Sequence, residues 1–183
     1  MANRQAQREK VIEALADHLL RHGLGETSLR QLAAAAGTSD RMLLYYFTDK
    51  AEIMSVVLDR VAERFAQSLD MAMPSDRLPA EQLLMNASAL VRTPEMRPTM
   101  RLWLDMVAAA ARQEPPFPEI ATDLLRQLMD WVETRLAGPA GPARRQRAAL
   151  LLAIIDGIVL FDMKGGSNEA DAAEAALAEL RLI

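Results

Sequence analysis

Near the start of the chain Val11, Leu15 and Leu19 recur every fourth residue beside Ile12, Ala16 and Leu20, so two adjacent rows merge into one apolar helical stripe. Gly23 and Gly25 end it. Ser28 followed by Gln31 has the spacing of a capping box and predicts a short second helix over 29–36. Gly37 then supplies a turn where a Cβ would be costly, and Thr38 or Ser39 is placed to cap a third helix running to about residue 47. Asp49 and Glu52 repeat the capping arrangement at the head of a long fourth helix that continues towards Met71. In the third helix Leu43 and Phe47, four residues apart, form the inward row. Asp40, Arg41, Leu44 and Tyr45 are left on the outer face, with Met42 and Tyr46 at its margins. An apolar and aromatic patch left outside on so small a module predicts a partner.

Beyond residue 73 the pattern is punctuated. All nine prolines lie at or after Pro74, and between their clusters run segments of 10 to 20 residues with helical spacing and few β-branched residues. No alternating strand pattern or hairpin dipeptide competes, so the expected fold class is all-α. Positions 144–163 are apolar almost all round, and such a helix must be covered on two sides. A final alanine-rich helix carries Ala173, Leu177 and Leu180 on one stripe. Together 144–163 and 168–182 predict a homodimer built as a four-helix bundle, with Gly157 either allowing close approach or serving as a simple core glycine, and Ile158 and Leu177 as positions where a charge breaks it.

Composition narrows the chemistry. There is no cysteine, which excludes disulfides and thiolate metal sites and fits a reducing cytoplasm. The first twenty residues lack a signal-peptide pattern, and the longest apolar run, 148–161, is interrupted by Asp156 and is too short to span a bilayer; a soluble, cytoplasmic protein with no membrane partner is expected. The formal net charge is −4. Residues 1–50 nevertheless hold seven Lys/Arg against six Asp/Glu, whereas the remaining 133 hold fourteen against nineteen. The asymmetry has the sign of a DNA-contacting N-terminus, and it is small.

A short helix, a turn at Gly37 and another short helix is the layout of a helix-turn-helix. The stretch TSLRQLAAAAGTSDRMLLYYFTDKAEI resembles the helix-turn-helix signature of the tetracycline-repressor (TetR) family of transcription regulators, closely over 27–53 and more loosely back through the first helix. The resemblance implies a DNA-binding domain over 1–50 and a helical ligand-binding and dimerisation domain over 51–183. It also implies a ligand-responsive regulator, most simply a repressor, that binds a near-palindromic double-stranded operator as a homodimer and is released by a small, mostly apolar effector. Carried over by position, Arg30 would reach a base edge, Tyr45 and Tyr46 would meet phosphate, sugar or thymine methyl groups, and Lys50 would hold a phosphate; the competing reading of the tyrosines, stronger for Tyr46 beside the buried row, is packing against the first helix. Ser28, Ser39, Asp40, Arg41 and Leu44 complete the expected DNA-binding set. Leu44 stands where the family usually has tyrosine, and Asp40 would repel phosphate unless it accepts from a cytosine amino group or serves the helix end. Physical reasoning points the same way, since a phenol covers deoxyribose or methyl while its hydroxyl donates to phosphate, and Arg grips guanine through two parallel bonds.

The middle of the chain gathers most of the remaining large flexible and aromatic side chains. Met85, Met100, Trp103, Asp105, Met106, Phe117, Leu128 and Trp131, with Met96 and Met129 nearby, are the candidate lining of an effector pocket, Trp103 as aromatic wall and Asp105 as polar anchor; an ordinary core is the competing reading of each. His18 and His22 are four apart but lack an intervening Glu and a third ligand, so no metal is expected and a solvated helix end is the simpler reading. No phosphate loop or nucleophile elbow is present, and nothing gathers Asp105, Asp156 and Asp162 into a catalytic pair; they are expected to meet arginines or helix ends, with Asp105, among the candidate pocket residues, as the exception. Neither enzymatic activity nor a cofactor is expected, the alternative being a helical small-molecule-binding protein or enzyme whose N-terminal module does not read DNA.

Overall fold

The computed structural model describes residues 2–25 and 27–179. Among them are nine helices: α1 (Ala2–His22), α2 (Leu29–Ala35), α3 (Asp40–Tyr46), α4 (Lys50–Ala72), α5 (Ala80–Val91), α6 (Arg97–Ala111), α7 (Phe117–Arg135), α8 (Pro142–Met163) and α9 (Ser167–Glu179). The fold is all-α, as expected. Leu180 of the final stripe, and positions 180–182 of the segment assigned to the dimer, lie outside the described residues. Two compact units emerge, one containing the residues up to Ala66 together with Arg101–Leu124, the other Gln67–Met100 together with the residues from Leu125 onward. The boundaries fall within α4, α6 and α7, whereas the sequence-based division was drawn at 50/51.

In the first unit one apolar cluster joins Val11, Leu15 and Leu19 of α1 to Leu32 of α2, Leu43 of α3, Ile53 and Val57 of α4, and Leu102 and Met106 of α6. Gly23 closes α1 with a positive φ of 68°, a backbone conformation that a side chain disfavours. It is constrained a second time, because a Cβ built there would lie 2.5 Å from Oδ2 of Asp105. The carbonyls of Leu20 and Arg21, left without intrahelical partners at the end of α1, accept from a guanidinium nitrogen of Arg101 at 3.0 and 2.8 Å. His18 is buried rather than solvated, its ring 4.6 Å from that of His22, which corrects the simple helix-end reading. No cluster of three or more metal-ligating side chains occurs among the described residues.

In the second unit the buried apolar residues include Leu83, Leu84, Ala87 and Val91 of α5, Val132 of α7 and Leu136 just beyond it, Leu151, Ile158 and Val159 of α8, and Ala170 of α9. Arg92 fastens α9, donating to Glu174 at 2.6 Å and Asp171 at 2.5 Å, and buried Asp162 meets Arg97 at 3.2 Å. Asp162 therefore meets an arginine, as its sequence context suggested. Ile158, expected to face a partner, is only 2% exposed inside its own protomer. The exposed stripe of α8 consists instead of Ala149, Leu150, Ala153, Leu160 and Phe161, with exposed Asp156 at its edge and half-buried Gly157 among them.

Leu43→Ala leaves a cavity beneath α3 and is expected to cost about 2–5 kcal/mol, read as a lower urea midpoint at unchanged slope.

Candidate nucleic-acid interface

The recognition surface begins with two caps. Ser28 accepts from the backbone N–H of Gln31, whose side chain in turn accepts from the Ser28 backbone, and this box starts α2. Ser39 accepts from the N–H of Met42 and starts α3. Between them Gly37 turns the chain at a φ of 63°, where a Cβ would meet open space, so the constraint is conformational rather than steric. At the head of α4 Asp49 Oδ1 accepts from the N–H of Glu52 at 2.8 Å, while the Glu52 carboxylate reaches Thr48 N at 2.6 Å rather than Asp49. The expected capping box is thus opened by one residue.

α3 divides its side chains cleanly. Leu43 and Phe47 are buried, while Leu44 and Tyr45 are 48% and 55% exposed. Arg41, Met42, Leu44 and Tyr45 line a shallow, open depression of about 820 Å³ on the outer face. Tyr46 is half-buried against the core, its ring edge-on to Tyr45 at 5.4 Å. Arg30 on α2 and Lys50 at the start of α4 are exposed, as is Asp40, which sits in the first turn of α3 where a carboxylate suits the helix dipole.

The electrostatics depend on where the acids turn. On α1, Glu9 and Asp17 pair with Arg60 and Arg64 of α4 at 2.8 and 2.7 Å, and Glu13 bridges both arginines. Hydrogen bonding to Arg64, reinforced by Arg60, holds the Glu13 carboxyl below its ordinary range. Arg30, Arg41 and Lys50 have no carboxylate partner among the described residues, so none of the three is tied up in an ion pair there, although Asp40 and Asp49 are exposed beside them. Glu52, lowered first by the Thr48 backbone N–H and then by Arg8, ties α1 to the α3–α4 turn.

The candidate pocket residues fall into different surroundings. In the first unit Met106 is fully buried, Trp103 and Phe117 are half-buried against the apolar cluster, and Asp105 lies against Gly23. In the second, Met100 is buried, Met85 is exposed, Leu128 is half-buried, and the Trp131 indole donates to Asp70 at 2.8 Å beneath the Arg135 guanidinium. Sequence reasoning missed Arg4 and Arg8, whose guanidinium groups reach the end of α3 from α1. Four-residue spacing puts both on one face of α1, but nothing local in the sequence says which face meets α3.

A capped helix pair around a tight turn, a second helix with a bare outer face, and cations at its edges define a helix-turn-helix DNA-binding protein. Residues 11–57 match the profile of bacterial regulatory proteins of the tetR family. The HTH-type transcriptional regulator PksA of Bacillus subtilis (strain 168) is 24% identical over 163 residues, covering 87% of this chain and 80% of PksA. The backbone is similar to a TetR-family regulator from Rhodococcus sp. (TM-score 0.73, 16% identity, 97% of this chain and 95% of that one). It is also similar to the multidrug binding protein EbrR complexed with proflavin (TM-score 0.71, 21% identity, 94% and 98%). Residues 11–57 are thus a TetR-type helix-turn-helix module, and along most of its length the chain is similar to regulators of transcription. No described helix is long and apolar enough to cross a membrane.

Glu13 and Glu52 both have depressed folded values, so their stabilisation is complete above the ordinary glutamate value of 4.5 and is lost as pH falls through the depressed range. Asp59, raised by burial and by Glu63 and Asp123, opposes this as it protonates first. Urea midpoints measured from neutral pH down to about 3 are expected to fall on the acid side, with a shallower fall in Glu52→Gln.

Proposed function

We propose that the protein is a repressor that binds a near-palindromic operator as a homodimer and leaves it when a small, mostly apolar effector binds. The observation that carries the DNA half is the divided α3, whose outer residues Arg41, Leu44 and Tyr45 have no structural duty in the core. In this reading Tyr45 donates to a phosphate, Lys50 neutralises another, Arg30 reads a base edge, and Arg41 and Leu44 face the groove. Ser28, Ser39 and Asp40 hold the helix ends close to the backbone, and Tyr46 packs on sugar. Two such modules related by a two-fold axis would read half-sites about one helical turn apart.

The dimer reading rests on the α8 stripe. Leu150, Leu160 and Phe161 are exposed apolar side chains on one face, and a Cβ built on Gly157 meets nothing within 4 Å of its own chain, leaving room for a second helix. The effector reading rests on the half-buried aromatic residues Trp103 and Phe117, with Leu128 and Trp131 as separate candidates, and takes support from the proflavin complex of EbrR. Release requires only that the effector bind the DNA-incompetent state better, and it shifts the equilibrium by no more than that difference.

Gel shifts on the DNA upstream of the protein's own gene test the first half. Tyr45→Ala and Lys50→Ala are expected to weaken binding severely with helical content unchanged, and Arg30→Ala to relax base preference at one position; full affinity in Tyr45→Ala removes the outer face from the interface. For assembly, sedimentation of Leu160→Glu is expected to show a folded monomer. Ile158→Glu, at a position buried within the protomer, is expected to unfold or aggregate instead. For the effector, thermal-shift hits from a panel of hydrophobic dyes and drugs should release operator, and Trp103→Ala should lose them.

A further inference from the structure

Two arginines one turn apart on α1 treat the end of α3 alike. Arg4 donates to the carbonyl of Tyr45 at 2.9 Å and lays its guanidinium 4.6 Å from the centre of the Tyr45 ring; Arg8 donates to the carbonyl of Tyr46 at 3.4 Å and lies 4.7 Å from the Phe47 ring. Their charges are treated differently. Arg8 is half-buried and paired with Glu52 at 3.1 Å, so its charge is spent inside the module. Arg4 is exposed, and its partners among the described residues are a neutral carbonyl and a neutral ring. The nearest acid along α1, Glu9, is engaged by Arg60, with Gln5 donating to it as well. Of the five N–H donors of a guanidinium, the Tyr45 carbonyl uses one.

We infer that Arg4 is a DNA-contacting residue, gripping a backbone phosphate together with the Tyr45 hydroxyl while its stacking on the ring sets the direction of the phenol. The inference rests on the DNA-binding reading above. Its chemistry is that of the site: the remaining N–H groups of Arg4 form a fork suited to phosphate oxygens, and Tyr45, 55% exposed, offers its own donor beside them. A phosphate brought to this pair gains a charge-assisted partner without breaking an existing ion pair, whereas at Arg8 it would have to displace Glu52. The contact is sequence-independent, so it adds affinity and register rather than base preference.

Fluorescence anisotropy with a random-sequence 24-base-pair duplex, titrated between 50 and 200 mM salt, tests it directly. Counterion release at a slope of about 0.9 per phosphate makes Arg4→Ala weaker by about fifteenfold at 50 mM and about fourfold at 200 mM for each Arg4 engaged, with the salt slope lowered by about 0.9. Arg4→Gln keeps a donor for the Tyr45 carbonyl but no charge, and is expected to behave like Arg4→Ala; Arg4→Lys is expected to recover the slope. Arg8→Ala is expected to lower the melting temperature and keep the slope. An unchanged slope in Arg4→Ala, rescue of binding by Arg4→Gln, or the same slope loss in Arg8→Ala each overturns the inference and leaves Arg4 as a brace for α3. If the wild-type protein shows no salt-dependent binding to any duplex, the DNA-binding reading itself falls, and this one with it.

Discussion

A helix of seven residues cannot support itself in water, where isolated helices of fewer than about 12–15 residues are marginal. Everything around α3 answers that constraint. Leu43 and Phe47 anchor it from below, Ser39 satisfies one N–H at its start, and Arg4 and Arg8 satisfy carbonyls at its end. Because these supports come from the buried row and the two ends, the outer positions carry none of the folding load. That is why a helix so short can leave Leu44 and Tyr45 in solvent, and why its outer face is free to vary with the ligand it must meet.

The same economy explains how an acidic chain leaves cations outside ion pairs around α3. Net charge governs solubility and long-range steering, but a phosphate within reach of a side chain meets the local arrangement. Glu9, Glu13 and Asp17 turn towards Arg60 and Arg64, so the acids of α1 serve as struts to α4 instead of facing the reading side. Each exposed pair of this kind is weak alone; as a ladder along two packed helices the pairs fix the angle between α1 and α4.

What could be read from the sequence was what depends on neighbours in the chain. The caps at Ser28 and Ser39, the left-handed turn at Gly37 and the inward pair Leu43 and Phe47 are set within four residues, and local spacing specifies them. What escaped depends on distant residues. Nothing near His18 announces that it will be covered, and the bond from Glu52 to Thr48 reflects the pull of Arg8 from α1. On α8 the apolar pattern runs almost all round, so periodicity held no information about which side the protomer would claim, and Ile158 went inward while Leu160 stayed out. The pocket set was compositional from the outset. Large flexible side chains mark a core and a ligand site equally well, and the structure accordingly spreads them from fully buried Met106 to exposed Met85.

One joint recurs within the first unit: an arginine laid on the open carbonyls of a helix end. Arg101 does this for α1, and Arg4 and Arg8 do it for α3. A guanidinium suits the task because its several donors can serve two carbonyls at once, as Arg101 does, at the negative end of the helix dipole. Such a joint differs in kind from the apolar contacts beneath it. Burial of Leu43 is lost only by opening the core, whereas an exposed arginine on a carbonyl exchanges with water at small cost and can transfer to a stronger acceptor. The position of α3 is therefore set by its buried row, and the bond from exposed Arg4 at its C-terminal end can exchange without disturbing that row.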